Sequence, residues 1–499
     1  MLGGAIIAEK IVGNREKVVF LHSSCRAFVR RLRKIENLEK RKTMKKRTVA
    51  IVVLLMAAVA TALLYCAMNR PPSADQNLNA QVLEIIQKGG CASCHSASPE
   101  LPFYANLPVA GDLVQKDVAE GYRAYDIEPL VAALSSGRDI NPVDVAKVEK
   151  VALDGTMPPA KYYLVHWGSQ MTAAKRDIIE QWAEAFREIY YADGVVGSEP
   201  VRPIVQSQSV DERKVALGKI LYHDTRLSSD NTVSCATCHD LATGGVDNKQ
   251  YSEGVDSQKG GVNAPTTYNA VYNFVQFWDG RAATLADQAA GPPLNPVEMA
   301  STSFDEIIEK LAADKALTKE FEAVYADGWS QANITNAIEE FERTLITPNS
   351  PFDKYLLGDD NAITAQAKQG YELFKEWGCA TCHAGVNLGG ETYELMGLRR
   401  HYFEDRGMAL TEEDNGRFKQ TQQERDRHRF KTPGLRNVAL TWPYYHDGTR
   451  QTLEEAVNDM ARYQCDVDPT VEQTADVVEF LRSLTGEYEG KPLTNSNQQ

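Results

Sequence analysis

Positive charge is scarce along most of this 499-residue chain. Residues 1–47 contain 14 lysines and arginines against four acidic residues, so the formal net charge of −14 leaves −24 on the remainder. Such an acidic body argues against nucleic-acid binding, which needs a basic surface. It suits a protein that stays dispersed in solution or that meets a basic partner.

Strand-like alternation and long apolar runs are scarce too. No segment alternates apolar and polar residues over a sustained length, so we predict a mainly α-helical protein. Residues 48–68 form the long apolar run, with 21 residues and no charge, which is enough to span a bilayer as a helix. Lys45, Lys46 and Arg47 precede it, so the positive-inside rule keeps the N-terminus cytoplasmic and sends the bulk of the chain outward.

We therefore predict a single-pass anchor in the inner membrane, with the following domains in the periplasm. A cleaved signal peptide is the alternative, because small residues at 58–62 resemble a cleavage site. Met44 is followed by Lys-Lys-Arg, which reads like the natural start of such an anchor. Residues 1–43 are then either an upstream extension from a misassigned start codon or a disordered basic cytoplasmic tail.

Nine cysteines are present, and six of them fall into three copies of one motif, Cys-x-x-Cys-His. This motif is the attachment signature of a c-type haem, because two cysteines one turn apart can form thioethers to both vinyl groups. A zinc ribbon or a redox Cys-x-x-Cys would explain a single copy, whereas three copies behind an export segment predict three covalent haems. The predicted attachment residues are Cys91, Cys94 and His95, then Cys235, Cys238 and His239, then Cys379, Cys382 and His383.

The three remaining cysteines, Cys25, Cys66 and Cys465, belong to no motif and receive no function. Cys465 is expected to be a half-buried free thiol.

The motifs also divide the chain, since 144 residues separate each first cysteine from the next. Amphipathic helices are predicted to close each unit, at 174–190, 336–346 and 474–484. The predicted organisation is three cytochrome c-like haem domains in tandem after a single N-terminal transmembrane helix. The predicted ranges are a basic segment 1–47, the anchor 48–68, a first haem domain 75–195, a second 205–355, a third 356–488 and a tail 489–499.

The sixth iron ligand decides whether a haem passes electrons or reacts. Met157, in a Met-Pro-Pro loop, is the candidate at the first haem, with His166 as its rival. Met460 is the candidate at the third haem, although its helical periodicity alone would make it a core residue. For the middle haem no suitable methionine precedes the third motif except Met299, which follows an acidic residue. A haem without a strong distal ligand is open to a small molecule such as peroxide.

From residue 205 to 485 the sequence resembles the bacterial dihaem cytochrome c peroxidases, and the whole chain resembles their trihaem, membrane-anchored, quinol peroxidase-like branch. The matching segments are Thr243–Asp247, Phe277–Ala282, Asp287–Pro292, Asn295–Met299, Thr432–Thr441 and Pro443–Gly448. The resemblance implies reduction of hydrogen peroxide to two waters at the haem of His239. It also implies that Glu298 moves a proton between the peroxide oxygens while Gln288 orients the substrate.

The same resemblance implies the remaining cofactors and partners. The third haem, on His383 and Met460, would relay electrons, with Trp278 as a bridge to the middle haem. One calcium ion would bind at Asn263, Thr441 and Pro443, mostly through carbonyl oxygens. Electrons would enter at the first haem from membrane quinol, or else from a periplasmic cytochrome or cupredoxin. A homodimer is compatible with this interpretation.

Two other functions are compatible with haem motifs. One is a multihaem electron-transfer cytochrome without peroxidase chemistry, in which every iron is six-coordinate. The other is a dihaem oxidase that modifies another protein. Such oxidases carry tyrosine rather than methionine on the second haem, so Met460 argues against it.

One position departs from the family. Classical members carry a histidine about 16 residues after the peroxidatic motif's own histidine, and it blocks the iron until reduction removes it. Here that position is Val255, and no histidine occurs between His239 and His383. The middle iron is therefore expected to be open at rest and to need no reductive release of a ligand.

Overall fold

The computed structural model describes residues 15–190, 195–204 and 208–495. Four parts of the predicted ranges lie outside the described residues. They are residues 1–14 of the basic segment, 191–194 near the end of the first haem domain, 205–207 at the start of the second, and 496–499 of the tail. The chain divides into two compact units. One is Met1–Arg70 with Val165–Ser169, and the other is Pro71–Leu164 with Gln170–Gln499.

The first unit is built on one long helix, α1, Arg15–Met68. Its Arg30–Met68 part is long and apolar enough to cross a membrane, by length and composition. After the helix ends, the Asn69 side chain donates to the carbonyl of Trp167 at 2.7 Å.

The helix corrects one expectation, because described residues 15–47 are helical rather than a disordered tail. The physical reason is local. This stretch has no glycine or proline, is rich in good helix formers, and contains a helical Lys40–Glu36 pair at 2.7 Å.

The second unit begins with five helices around the first motif. The apolar faces of the helices before and after the motif meet, with Val82 and Ile86 packing in one core with Ile179 and Trp182. Gly90, in the left-handed conformation at φ 69°, ends the first of these helices directly before Cys91. The helices are α2 Leu78–Gly89, α3 Ala110–Ala124, α4 Glu128–Ser136, α5 Pro142–Leu153 and α6 Ala173–Tyr190.

Six helices surround the middle motif. The helix before the motif packs along the last helix of the group, α12, and Gly218 makes this close approach possible. A Cβ at Gly218 would lie 1.8 Å from the carbonyl oxygen of Ala337. The helices are α7 Glu212–Tyr222, α8 Cys235–Cys238, α9 Leu285–Ala289, α10 Phe304–Ala312, α11 Lys315–Val324 and α12 Gln331–Glu342.

The third motif repeats this arrangement. A Cβ at Gly370 would lie 1.9 Å from the carbonyl oxygen of Asp476, so α14 and α18 also cross at a glycine. The helices are α13 Pro351–Leu356, α14 Ala365–Glu376, α15 Tyr402–Asp405, α16 Phe418–Thr421, α17 Leu453–Cys465 and α18 Val471–Arg482. Two short antiparallel pairs complete the described chain, β1 Tyr393–Leu395 with β2 Arg429–Lys431 and β3 Glu487–Tyr488 with β4 Lys491–Pro492.

The prediction of a mainly helical protein is confirmed. Of the three predicted closing helices, those at 174–190 and 474–484 agree closely with α6 and α18. The one predicted at 336–346 was wrong in its bounds, because the side chain of Ser330 caps the helix start at Gln331 and the helix ends at Glu342.

Candidate functional site

The middle motif lies on a single helical turn. The side chains of Ser234 and Thr237 form a reciprocal cap that fixes α8, so Cys235 and Cys238 lie one turn apart. The next residue, His239, is held by its backbone, because Tyr222 donates its hydroxyl to the His239 carbonyl at 2.7 Å. Both cysteines are free thiols, and burial raises the pKa of Cys238 to about 11. Two free thiols and a half-buried imidazole in this order fit covalent haem attachment.

Glu298 lies beside this motif. Its carboxylate is one of the charges that raise the pKa of the Cys235 and Cys238 thiols, after the larger effect of burial. Oε1 of Glu298 accepts a hydrogen bond from Asn295 Nδ2 at 2.8 Å. Burial raises the pKa of Glu298, and the positive charge of Arg281 and the Asn295 hydrogen bond only partly oppose that rise.

Gln288 belongs to the same surroundings. It is half-buried at the end of α9, and the next residue, Ala289, packs in the core that also contains Met299. Cys235 packs against this core as well. The structure therefore brings the segments that carry Gln288 and Glu298 to one core beside the middle motif. Met299 itself is a buried core residue.

Val255 is fixed against the Glu298 segment. Its amide donates to the Glu298 carbonyl at 2.8 Å, and its side chain is buried in the same core. The preceding Gly254 approaches so closely that a Cβ there would lie 2.2 Å from the Glu298 carbonyl oxygen. This loop and the Glu298 segment therefore form one packed element.

The first and third motifs face a common cavity of about 1000 Å³. His95 and His383 both line it, and each has a backbone acceptor near Nδ1: the Tyr125 carbonyl at 3.1 Å and the Leu388 carbonyl at 2.8 Å. Such partners orient a histidine that ligates a metal. The cavity is also lined by the four cysteines of the two motifs and by Met157 and Met460. Its size and donor set fit covalently bound haem.

Trp278 and the three residues predicted for calcium line the same cavity. Trp278 Nε1 donates to the backbone carbonyl of Asn263 at 2.9 Å, and Trp278 packs in one cluster with Met460. Asn263 is buried, with its side-chain amide donating to the Lys249 carbonyl at 2.9 Å. Thr441 and Pro443 line the cavity as well. The calcium site and the methionine ligands stay predictions, and His166 belongs to the other compact unit.

Sequence reasoning missed a buried charge network near Trp278. Asp414 accepts from Arg406 at 2.8 Å and lies 2.8 Å from His446 Nε2, while Arg406 also contacts Asp447 at 2.7 Å. Burial alone would raise the pKa of Asp414, but the hydrogen bonds from His446 and Arg406 outweigh it and lower that pKa. Because Arg406 pairs with both carboxylates, the cluster is an ion-pair network. His446 and Asp447 lie in the segment Pro443–Gly448, which resembles the family. No motif or spacing in the sequence indicates Arg406 or Asp414.

Comparison with known proteins agrees with this geometry. A family model for di-haem cytochrome c peroxidase matches residues 212–361, and a haem-binding domain model matches residues 49–185. Cytochrome c peroxidase Ccp of Escherichia coli is 49% identical over 414 residues, covering 82% of this chain and 88% of the relative. The chain belongs to the di-haem cytochrome c peroxidase family.

Other members of this family are similar over a shorter part of the chain. Cytochrome c551 peroxidase of Nitrosomonas europaea is 44% identical, covering 59% of this chain and 86% of the relative. A crystal structure of a MauG-like protein associated with microbial copper homeostasis aligns with a TM-score of 0.51 and 27% identity, covering 57% of this chain and 93% of that one. The chain is accordingly a c-type haem peroxidase.

Proposed function

We propose that this peroxidase reduces hydrogen peroxide to two waters at a haem held by Cys235, Cys238 and His239, with Glu298 and Gln288 as its distal residues. When bound, the haems supply the two electrons that the peroxide bond consumes. The observation that supports the proposal is the position of Glu298, a half-buried carboxyl whose neighbour Met299 packs in the core against which Cys235 of the middle motif lies.

Glu298 is equipped to move a proton. Oε1 is occupied by the hydrogen bond from Asn295, which leaves Oε2 for a substrate oxygen. The raised pKa brings proton uptake and release closer to neutral pH than for an exposed glutamate. We assign Glu298 the transfer of a proton from one peroxide oxygen to the other, and Gln288 the orientation of the substrate.

The middle iron is proposed to be open at rest. Val255 offers no ligand atom, and its loop is fixed to the Glu298 segment by the 2.8 Å amide–carbonyl bond and by the close packing of Gly254. A loop that is already docked has no ligand to release, so full activity needs no prior reduction.

Two other haems are proposed at the first and third motifs, where they conduct electrons. The chain would then contain three haem domains in tandem. Support comes from the repeated helix crossings, α2 with α6, α7 with α12 and α14 with α18, in which the first helix of each pair lies just before a motif. The cavity shared by the first and third motifs favours electron entry at the first and transfer to the third. Met157 and Met460 are the proposed sixth ligands, with His166 as the alternative at the first haem.

The donor and the location are also proposals. The long apolar part of α1 supports an inner-membrane anchor with periplasmic domains, and an anchored enzyme is positioned to oxidise quinol. A small periplasmic redox protein is the alternative donor. We further propose one calcium ion at Asn263, Thr441 and Pro443, because these residues line the cavity beside Trp278.

Peroxide consumption by the Glu298→Gln variant tests the proposed function. We expect kcat/KM for peroxide to fall about 10²–10⁴-fold, the usual contribution of a positioned acid–base group. Glu322→Gln, an exposed glutamate of α11, is the matched control and should keep wild-type turnover. Equal activity in both variants, at equal haem content, would rule out the assignment of Glu298.

A further inference from the structure

A buried ion pair joins the segment of the first motif to that of the third. Lys147 lies on α5, and its Nζ is 2.6 Å from Oε1 of Glu394 on β1. The two side chains are only 17% and 11% exposed. Removing one partner of such a pair leaves the other as an uncompensated buried charge, which is costly.

The pair lies where α5 docks beside the third motif. Val143 and Ala146, on the same helix as Lys147, pack against Ala384, the residue after His383. At the start of α5, the Asn141 side chain donates to the Glu391 carbonyl at 3.0 Å. The ion pair is therefore one part of a packed interface between the two segments.

The same lysine reaches the surroundings of His95. Lys147 Nζ lies 5.1 Å from the centre of the Tyr125 ring, and the Tyr125 hydroxyl donates to Asp144 at 2.8 Å. The Tyr125 carbonyl is the acceptor 3.1 Å from His95 Nδ1. Contacts thus run without a gap from the first motif's histidine to the ion pair.

The two charges act mainly on the third motif. Ala146, the residue before Lys147, packs against Ala384, the residue after His383, whereas the pair reaches His95 through Tyr125. An iron centre at the third motif therefore experiences the pair more strongly than one at the first.

We propose that Lys147 and Glu394 are positioning residues for electron transfer. The pair fixes the first haem site against the third. Its two opposite charges also cancel in their effect on the difference in reduction potential between the two sites. The inference rests on the proposed function, in which electrons pass from the first motif to the third. Within the pair, Glu394 disfavours an added electron at the third site and Lys147 favours it. Neutralising one residue therefore leaves the other charge uncompensated.

Anaerobic redox titration of the three-haem enzyme tests the inference, with spectra recorded for Lys147→Met, Glu394→Gln and the double variant. In Glu394→Gln we expect the equilibrium constant for electron transfer from the first site to the third to rise about tenfold, which corresponds to 59 mV for one electron. In Lys147→Met it should fall about tenfold. The double variant should return to within about twofold of wild type, because both charges are gone.

Two control variants accompany the titration. Lys116→Met removes an exposed lysine of α3 that forms a 3.7 Å pair with Glu120, and it should leave every potential unchanged. Met460→His lowers the potential of the proposed third site and so identifies its wave in the titration.

A purely structural pair would loosen docking in both single variants and shift the equilibrium in the same direction. Shifts of the same sign, or none beyond those of Lys116→Met, would overturn the inference. The titration contains neither peroxide nor quinol, so it stands apart from the test of the proposed function. If the wild-type enzyme did not turn over peroxide, that function would be refuted, and the titration result would still stand.

Discussion

Glu342 is the residue in which burial and charge conflict most clearly. Its side chain lies on α12 near Cys235, its Oε1 has only a 3.5 Å contact from the Thr267 hydroxyl, and its Oε2 has no hydrogen-bond partner among the described residues. Burial raises its pKa from the ordinary 4.5 to about 8. The folded protein therefore holds a proton on Glu342 over a pH range in which the unfolded chain has released it.

This conflict predicts how stability depends on pH. Because the folded pKa is the higher one, stability is fully present below pH 4.5 and declines as pH rises toward about 8. The linkage is about 1.4 kcal/mol per unit of pKa difference. Glu342→Gln cannot lose a proton, so thermal unfolding at pH 5 and pH 8 should show a smaller decline than in wild type. An identical decline in both proteins would show that Glu342 is ionised in the fold.

At this scale the sequence predicted the residues that carry a motif. The cysteines and histidines of the three proposed haem sites follow from the motif, and the proposed roles of Glu298, Gln288 and Trp278 follow from the family resemblance. The sequence could not predict two ion pairs, Lys147 with Glu394 and Arg406 with Asp414. The first joins residues more than two hundred positions apart and the second joins two loops, so neither pair produces a periodic pattern. Both pairs exist only once the chain has folded.

The loop that carries Gly254 and Val255 is the element on which the proposed open site depends. It packs on the Glu298 segment through a backbone hydrogen bond, and Gly254 leaves no space for a side chain. The sequence indicated the missing histidine at Val255. It could not indicate the docking, since Gly254 reads like any loop glycine until its neighbour is known.

Gly254→Ala tests this element. The added Cβ would lie 2.2 Å from the Glu298 carbonyl, so the Glu298 segment must shift, and a displacement of about 1 Å is enough to cost up to 10²-fold in rate. We expect peroxide kcat/KM to fall at least tenfold with three haems still attached. Gly260→Ala is the matched control from the same loop, because its Cβ would meet no atom closer than 3.8 Å. Equal rates in the two variants would mean that the loop does not position Glu298.

The helices show what periodicity can and cannot supply. The amphipathic pattern predicted α6 and α18 well, whereas α12 was misplaced because capping by Ser330 and the end at Glu342 depend on local hydrogen bonds. The crossings at Gly218 and Gly370 were not predicted. A glycine inside a helix is unfavourable on its own, and only the approach of a second helix explains it.

At the scale of the whole molecule, the acidic body, the long apolar helix and the three motifs support the proposal of an exported peroxidase with three haems. This organisation can be proposed from the sequence because charge, apolar length and motif spacing are properties of the chain itself. It could not predict that the first and third motifs share one cavity, since that follows from the docking of α5 beside the third motif.

Donor specificity tests this organisation. Full-length enzyme in membranes should reduce peroxide at least tenfold faster with a quinol analogue than with reduced cytochrome c. The Cys91→Ala/Cys94→Ala variant, which cannot attach the first haem, should lose quinol-driven turnover and keep turnover with a small synthetic one-electron donor. Undiminished quinol oxidation by that variant would place electron entry elsewhere.

We propose that the three iron sites differ, with one open beside Glu298 and two closed by sulfur. An electron paramagnetic resonance spectrum of the fully oxidised three-haem enzyme, recorded before any reductant is added, measures this difference most directly. We expect one high-spin ferric signal that cyanide converts to low spin, together with two low-spin signals that cyanide leaves unchanged. Three low-spin signals in the untreated oxidised enzyme would contradict the proposal.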